Sequence, residues 1–332
     1  MDTSYRTIST CPLVAKGLDI YVRELAIEKW NNLQADTQYQ GEGSSHDLAS
    51  LLVTEAIQHS RYHSHQPIFL LFLDAMSAFD IVNIPYIVRG LYQSGMECQS
   101  VMYMENRLAN RITYCEYNKV LVGPIYDEQG LEQGGVSSSD CYKLYNNELL
   151  NISQQSCLGV DIGGQLVVSA VGQADDTVMM TNSLARLKHL CQLSHGYCQK
   201  FNVHLSPSKT KLLMLPSSKK DAHVFHNPIK INDTRVDFVD EAEHVGVLRS
   251  TSGNMPHILG RLSSFRKALG SVVSCGLARG HRSNPAASLR ILTLYGTPVL
   301  MSGMASLVLL DKETATIDQQ FKRTLQTFLS FL

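Results

Sequence analysis

Residues 171–180 read Val-Gly-Gln-Ala-Asp-Asp-Thr-Val-Met-Met, which places the carboxylates Asp175 and Asp176 side by side in an otherwise uncharged, apolar stretch. The flanking segments 166–171 and 177–180 are rich in β-branched and apolar residues, so they predict two buried strands joined by a tight turn over 173–176. No Lys or Arg stands within nine residues of either acid. Because unpaired buried charge is strongly disfavoured, this hairpin predicts a site for a divalent cation.

A third acid follows another predicted buried strand. The run from Pro67 to Leu73 is continuously apolar after its first residue, and Asp74 comes directly after it. If the two strands are neighbours in a sheet, all three carboxylates converge on one edge. Carboxylate oxygens suit Mg²⁺, and two such ions activate an attacking hydroxyl and stabilise a leaving oxygen. Taken singly, each acid has an alternative explanation as a helix cap or a turn residue, and for Asp74 the two explanations are equally well supported.

The composition is that of a globular protein. Of 332 residues, 44% are hydrophobic and 18% are charged, and the formal net charge is −1, which argues against a strongly basic chain. No apolar stretch reaches the roughly 18 residues that span a bilayer, and no signal-peptide core follows Met1. The longest candidate, 299–310, is broken by Ser and Gly and predicts a buried helix. We therefore expect an intracellular protein with no membrane association. The segment 249–323 is locally basic, which indicates either a nucleic-acid footprint or a solvated helical face.

The eight cysteines are scattered without a CxxC pair, so a disulfide framework is not expected. Cys191, His195 and Cys198 would share one face of a helix and are candidate zinc ligands. A fourth ligand at a familiar spacing is missing, and buried thiols are the favoured alternative.

The order of predicted elements defines the fold class. Between Asp74 and Leu215 the pattern is β-α-(ββ)-α-β-β-α-β, preceded by helices at about 14–31 and 46–60 and followed by a short hairpin near 229–247 and a helical end. Such alternation with antiparallel hairpins predicts an α+β protein with helices packed on one face of the sheet.

Six segments, in order along the chain, resemble the motifs of reverse transcriptases of non-LTR (LINE-type) retrotransposons. They are Tyr5-Arg6-Thr7-Ile8-Ser9 (Y-R-P-I-S), Leu73 to Asp80 (D-x-x-x-A-F-D), Gly130 to Ser138 (G-x-x-Q-G-x-x-x-S), Gln173 to Asp176 ([YF]-x-D-D), Ser206 to Lys211 (N-x-x-K-T) and His244 to Leu248 (Y-L-G). Each segment alone is weakly specific, but their common order covers nearly the whole chain. Gln173 stands where the family commonly has an aromatic residue.

The resemblance implies a right-hand polymerase fold with a ferredoxin-like palm sheet, partial fingers and a helical thumb. It divides the chain into partial fingers (1–66), palm (67–243, with a fingers insertion near 100–135), and primer grip with helical thumb (244–332). The implied activity is RNA-directed DNA synthesis, in which a primer 3′-hydroxyl is extended with deoxynucleoside triphosphates by a two-metal mechanism. The implied partners are an RNA template, a DNA primer and these nucleotides.

The resemblance also implies a role for individual residues. Asp74, Asp175, Asp176 and the backbone carbonyl of Ala75 hold Mg²⁺, for which Mn²⁺ is a possible substitute. Phe79 lies under the sugar and excludes a 2′-hydroxyl, and Lys209 protonates the pyrophosphate leaving group. Gln133 and Gly134 position the nucleotide and the template, and Arg6 clamps the triphosphate.

Two alternatives remain open at this point. The first is a truncated, catalytically inactive remnant of a mobile element that keeps the fold and at most binds nucleic acid. The second is a polymerase that copies DNA, or a maturase-like relative.

Overall fold

The computed structural model describes residues 8–40, 45–109, 111–164, 166–218, 228–274 and 284–330. The α-helices of these ranges are α1 (Leu13–Leu33), α2 (His46–Gln58), α3 (Ile84–Gln93), α4 (Cys98–Leu108), α5 (Ser138–Gln155), α6 (Leu184–Phe201), α7 (Met255–Ser274), α8 (Pro285–Ile291), α9 (Thr297–Met301) and α10 (Asp311–Ser330). The strands are β1 (Ile68–Leu73), β2 (Arg111–Tyr117), β3 (Val120–Asp127), β4 (Val160–Asp161), β5 (Val167–Val168), β6 (Ala170–Gln173), β7 (Asp176–Thr181), β8 (Lys211–Leu215), β9 (Ile229–Ile231), β10 (Thr234–Val236), β11 (Phe238–Val239), β12 (Glu241–His244) and β13 (Val247–Ser250).

The centre of the fold is a five-stranded sheet with the order β11-β8-β1-β7-β6. Strand β1 pairs antiparallel with both β7 and β8, β6 pairs antiparallel with β7, and only β11 runs parallel to its neighbour. All six residues of β1 are buried, as expected for a central strand whose sequence is continuously apolar. The predicted α+β class is confirmed.

Helices cover both faces of this sheet, so the prediction of helices on one face was wrong. One face, which includes Phe69 and Leu71, packs against α3, α5 and α6. The opposite face, which includes Leu70 and Phe72, packs against α2. Because successive side chains of a strand point to opposite faces, an uninterrupted apolar strand needs cover on both sides.

The starts of α2 and α3 are set by local capping side chains. Ser45 caps α2 by accepting a hydrogen bond from the Leu48 N–H at 3.2 Å. Asn83 caps α3 in the same way through the Tyr86 N–H at 2.9 Å, with Pro85 in the first turn. Polar side chains at these positions satisfy backbone donors that the helix itself leaves unpaired.

Two further predictions were incomplete. Helix α4 was missed, although its buried residues Val101, Met104 and Leu108 follow helical spacing, and Glu97 provides no side-chain cap. The segment near 229–247, predicted as one hairpin, forms the hairpin β9–β10, the short parallel strand β11 and the start of the hairpin β12–β13. Short strands of two to four residues carry too little periodicity to be separated by pattern alone.

The C-terminal helices form their own core around Ile258, Leu262 and Phe265 of α7. The segment 299–310, expected to be a buried helix, is divided between α9 and a 3₁₀ turn at Met304–Ser306. Gly303 separates the two pieces with φ of +73°, a backbone conformation that glycine adopts without steric cost. Across the described ranges, no helix combines the length and the apolar character that crossing a membrane requires.

Candidate active site

The sheet brings the three predicted acids to one edge. Strand β1 ends at Leu73, which lies opposite Thr177 of β7. Asp74 therefore leaves the sheet beside Asp176, the first residue of β7. The β6–β7 hairpin closes on a two-residue turn that carries Asp175. Two strands that are about a hundred positions apart in the sequence thus place three carboxylates together.

The electrostatics of this edge are those of crowded negative charge. Partial removal from water, followed by repulsion from Asp175 and Asp74, raises the pKa of Asp176. Burial, followed by the field of Asp175, raises the pKa of the Tyr142 hydroxyl that lies behind the acids. Lys209 donates to Asp74 at an Nζ–Oδ1 distance of 3.2 Å, but its side chain is 60% exposed. An ion pair so exposed to water neutralises little of the charge.

Backbone hydrogen bonds fix the chain around Ala75. The Ser206 N–H donates to the carbonyl of Asp74 at 2.8 Å, and the Met76 N–H donates to the carbonyl of His204 at 2.7 Å. Neither bond uses the carbonyl of Ala75, the predicted backbone ligand. The loop after α6, which leads to Lys209, is thereby docked on the strand end that carries Asp74.

Phe79 is half-buried beside the acids and stacks on Tyr142, with ring centroids 5.1 Å apart and an interplanar angle of 22°. Its carbonyl accepts a hydrogen bond from the Leu131 N–H at 2.7 Å. Stacking on a buried ring and a backbone bond at its own residue together restrict where the Phe79 ring can lie.

Gln133 and Gly134 lie on a loop that two contacts hold in place. The Ser9 N–H donates to the carbonyl of Gln133 at 2.9 Å, and Gly134 has φ of +100°, which favours glycine. Glu132 receives two hydrogen bonds from the guanidinium of Arg107, at 2.8 and 2.7 Å, and these bonds lower the pKa of the Glu132 carboxyl. The predicted triphosphate ligand Arg6 lies outside the described residues.

The donor chemistry of the edge fits a hard divalent cation. Its groups are carboxylates with free lone pairs and a backbone carbonyl, and their mutual repulsion is the kind that a bound cation relieves. In the part of the chain that is described, no three His, Cys, Asp or Glu side chains already converge to metal-binding distance of one another. The Lys209 ammonium donates to one Asp74 oxygen.

The candidate zinc cluster consists of buried thiols. Burial raises the pKa of Cys191 to about 12 and that of Cys198 to about 11, and among the described residues these side chains form no group of three possible metal ligands. His195 is engaged elsewhere, since its Nδ1 accepts a hydrogen bond from the Asn232 N–H at 2.9 Å.

Some residues that shape this site are only weakly indicated by the sequence. Tyr142 supports Phe79, Arg107 anchors Glu132, and Gln38 and Asn146 hydrogen-bond to the backbone of the β6–β7 turn. From the sequence alone, an aromatic or amide residue on a helix is interpreted as an ordinary core or capping residue. The spacing of Tyr142 and Asn146, four positions apart on α5, was the one available pattern.

The sheet is antiparallel except for β11, and it presents acids at the end of its central strand and at the adjacent hairpin. With helices packed on it and further helices after it, this is the arrangement of a right-hand polymerase palm. The sequence profile of the family described as "Reverse transcriptase (RNA-dependent DNA polymerase)" matches residues 1–248, about three-quarters of the chain. The chain belongs to this family. A search of curated protein sequences finds no match.

A comparison with solved structures finds telomerases, at low sequence identity. Apo telomerase from Candida tropicalis is 13% identical, with a TM-score of 0.49 over 93% of this chain and 54% of that one. The same telomerase in complex with the TWJ fragment of telomeric RNA gives 11% identity and a TM-score of 0.46 over 93% and 56%. A form truncated from its C-terminal domain gives 12% and 0.43 over 70% and 44%. The chain thus spans about half the length of these telomerase chains.

Proposed function

We propose that this protein is an RNA-directed DNA polymerase that extends a primer 3′-hydroxyl with deoxynucleoside triphosphates. The observation that carries the proposal is the edge where Asp74, Asp175 and Asp176 meet beside the stacked ring of Phe79. Membership of the reverse transcriptase family supports it. A cluster of acids alone is compatible with any metal-dependent group transfer. The aromatic ring of Phe79 beside it favours a deoxynucleotide as the substrate.

The acids act as ligands. Asp74, Asp175, Asp176 and the carbonyl of Ala75 would hold Mg²⁺, with Mn²⁺ as a substitute. The bound ions would lower the barrier to attack by the primer hydroxyl and stabilise the leaving oxygen. Asp176 is the most exposed of the three acids and is the second ligand of the hairpin. Partial burial, followed by repulsion from Asp175 and Asp74, raises its pKa, and a bound cation would relieve that repulsion.

Phe79 selects the sugar. Because its ring is stacked on the buried Tyr142, it cannot move aside to admit a 2′-hydroxyl without losing that contact. Gln133 and Gly134, on the loop anchored by Arg107 and Glu132, position the nucleotide and the template.

Lys209 and Arg6 deal with the phosphates. Lys209 is exposed and reaches the acid edge, so its ammonium is in place to give a proton from Nζ to the departing pyrophosphate. Arg6 grips the triphosphate, since a planar guanidinium binds phosphate oxygens in pairs.

The proposed organisation is partial fingers over 1–66, palm over 67–243 and primer grip with thumb over 244–332. The basic side chains of α7, such as Arg261 and Arg266, follow the backbone of an RNA–DNA duplex by charge and shape. The D-x-x-x-A-F-D form of residues 74–80 supports an origin in a non-LTR retrotransposon.

Primer extension on a primed RNA template with Mg²⁺ tests the function. Wild-type protein should incorporate deoxynucleotides, and Asp175→Asn with Asp176→Asn should not. Equal incorporation by the two proteins, or none by the wild type, rules the catalytic proposal out. In the second case, absence of Mg²⁺-dependent deoxynucleotide binding would favour the inactive remnant. Matched RNA and DNA templates separate RNA-directed from DNA-directed synthesis.

A further inference from the structure

The turn that presents Asp175 has an unfavourable backbone conformation. Its two residues, Ala174 and Asp175, are here called the tip. Ala174 has φ of +57°, in the left-handed region where hairpins normally place Gly, Asn or Asp. The side chain of alanine forms no hydrogen bond that would stabilise this conformation, so the surroundings of the tip must do so.

Two buried amide side chains hold the peptide groups on either side of Ala174. The Ala174 N–H donates to Oε1 of Gln38 at 3.0 Å. The Ala174 carbonyl accepts from Nδ2 of Asn146 at 3.0 Å, and the same amide also donates to Oγ1 of Thr177 at 3.1 Å. Gln38 is 5% exposed and Asn146 is 3% exposed, so water does not compete for these bonds.

Each amide is itself fixed by a rigid element. Gln38 belongs to the segment between α1 and α2, which adds to the free edge of β6. The Tyr39 N–H donates to the carbonyl of Gly172 at 2.8 Å, and the Gly172 N–H donates to the carbonyl of Thr37 at 2.9 Å. Asn146 lies in the middle of α5. The tip is therefore held between a strand-like segment and a helix.

This clamp acts on the peptide that leads into Asp175. A change of Ala174 to a right-handed conformation would rotate the following peptide and turn Asp175 away from the edge that it shares with Asp74. We propose that Gln38 and Asn146 are positioning residues that keep Ala174 left-handed and so aim the Asp175 carboxylate at the divalent cation. The proposal rests on the proposed function, because it assumes that Asp175 is a metal ligand.

The chain offers a matched control on the same helix. Gln154 of α5 also bonds to the backbone with its amide: it accepts from the Ser169 N–H at 3.1 Å and donates to the carbonyl of Val167. It does so at β5, away from the acids. Gln154→Met therefore removes a comparable pair of bonds without touching the tip.

The experiment compares Gln38→Met and Asn146→Leu, which keep side-chain volume, with Gln154→Met. The first measurement is Mn²⁺ binding to the full chain by electron paramagnetic resonance, without nucleotide. We expect the dissociation constant for Mn²⁺ to rise about tenfold or more in Gln38→Met and Asn146→Leu. In Gln154→Met it should stay within about twofold of the parent value. Hydrogen exchange of the peptide containing 173–177 should accelerate only in Gln38→Met and Asn146→Leu.

Milder variants cover the case in which a substitution prevents folding. Gln38→Asn shortens the amide reach by one methylene, and Thr177→Val removes only the second bond of Asn146. We expect Gln38→Asn to weaken Mn²⁺ binding and Thr177→Val to weaken it less than Asn146→Leu.

Three outcomes decide the matter. Mn²⁺ affinity that is unchanged in the Gln38 and Asn146 variants, or that falls equally in Gln154→Met, overturns the clamp while the proposed function stands. A parent protein that binds no Mn²⁺ overturns the proposed function and the clamp with it. Selective loss of Mn²⁺ affinity together with faster exchange at the tip supports the clamp.

Discussion

Two acid-rich regions of this molecule deal with charge in opposite ways. At the interface of α1 with α5, the buried Asp140 accepts from Lys143 Nζ at 2.7 Å and from Arg23 Nε at 2.6 Å. At the sheet edge, the basic groups of the described residues that act on the acids are Lys209, which pairs with Asp74, and His46, whose charge acts on Asp176; both are exposed. The α1–α5 interface is complete as folded, whereas the sheet edge carries excess negative charge. The acids with buried partners stabilise the fold, and we propose that the acids of the sheet edge bind an external cation.

The largest effect is expected at the sheet edge. Asp74→Asn should lower kcat by about 10³-fold or more, because stabilisation of the transition state by a bound metal is worth several kcal/mol. Primer extension measures this loss. Asp161→Asn, which changes an exposed acid on β4, is the control and should retain activity. Full activity of the Asp74→Asn protein would contradict the proposal that the acids of the sheet edge, unlike those of the α1–α5 interface, serve catalysis.

Asp140→Asn should instead destabilise the fold, by about 3–5 kcal/mol in the free energy of unfolding, because it leaves Lys143 buried without its partner. Urea denaturation measures the change. Asp318→Asn on α10 removes an exposed pair with Lys322 and should cost about 0–1 kcal/mol. Equal losses in the free energy of unfolding for the two variants would mean that the buried ion pairs between α1 and α5 contribute no more to stability than an exposed pair.

A third way of handling charge is to keep a group neutral. Burial, followed by the field of Arg249, lowers the pKa of His244 to about 3. The unfolded chain binds the extra proton below about pH 6.5, so stability falls as the pH drops from 6.5 towards 3. Because phenylalanine does not titrate, His244→Phe should avoid about 2 kcal/mol of the loss in unfolding free energy at pH 5 and change little at pH 8. Denaturation of both proteins at the two pH values measures this difference. An unchanged acid sensitivity would show that His244 is not the group responsible.

The smallest effect is expected at Phe79, beside the sheet edge, and concerns the choice between ribonucleotides and deoxynucleotides. Phe79→Ala should increase the use of ribonucleotides relative to deoxynucleotides by about tenfold or more, a difference of about 1.4 kcal/mol. Competing nucleotides in primer extension measure the ratio. Tyr142→Phe keeps the ring on which Phe79 stacks and should leave discrimination as it is. Unaltered discrimination in Phe79→Ala would contradict its assignment to the sugar.

The sequence predicts most of the framework because its main signals are local. The apolar run of β1, the caps of α2 and α3 and the paired acids at 175–176 are all legible within a few residues. The one-face packing of the sheet was a wrong prediction, since the polar segment before α2 gave no sign that α2 covers the second face. Helix α4 was missed because no cap marks its start.

The contacts that shape the candidate site were beyond prediction because they join distant segments. Gln38 meets Ala174 across 136 positions, and Arg23 meets Asp140 across 117. An amide or a guanidinium at such a position reads as an ordinary polar residue until the fold supplies its partner. Arg107 and Glu132 are only 25 positions apart, yet their pairing depends on α4, which was not predicted.

The most direct test of the contrast between the two regions is the effect of Mg²⁺ on the free energy of unfolding of the parent, Asp175→Asn and Asp140→Asn. At tenfold excess over its dissociation constant, Mg²⁺ should stabilise the parent by about 1.4 kcal/mol. Asp140→Asn, although less stable, should show the same gain, and Asp175→Asn should show none. A parent that gains nothing from Mg²⁺, or an Asp175→Asn protein that gains as much as the parent, would contradict the claim that the sheet edge is a cation site.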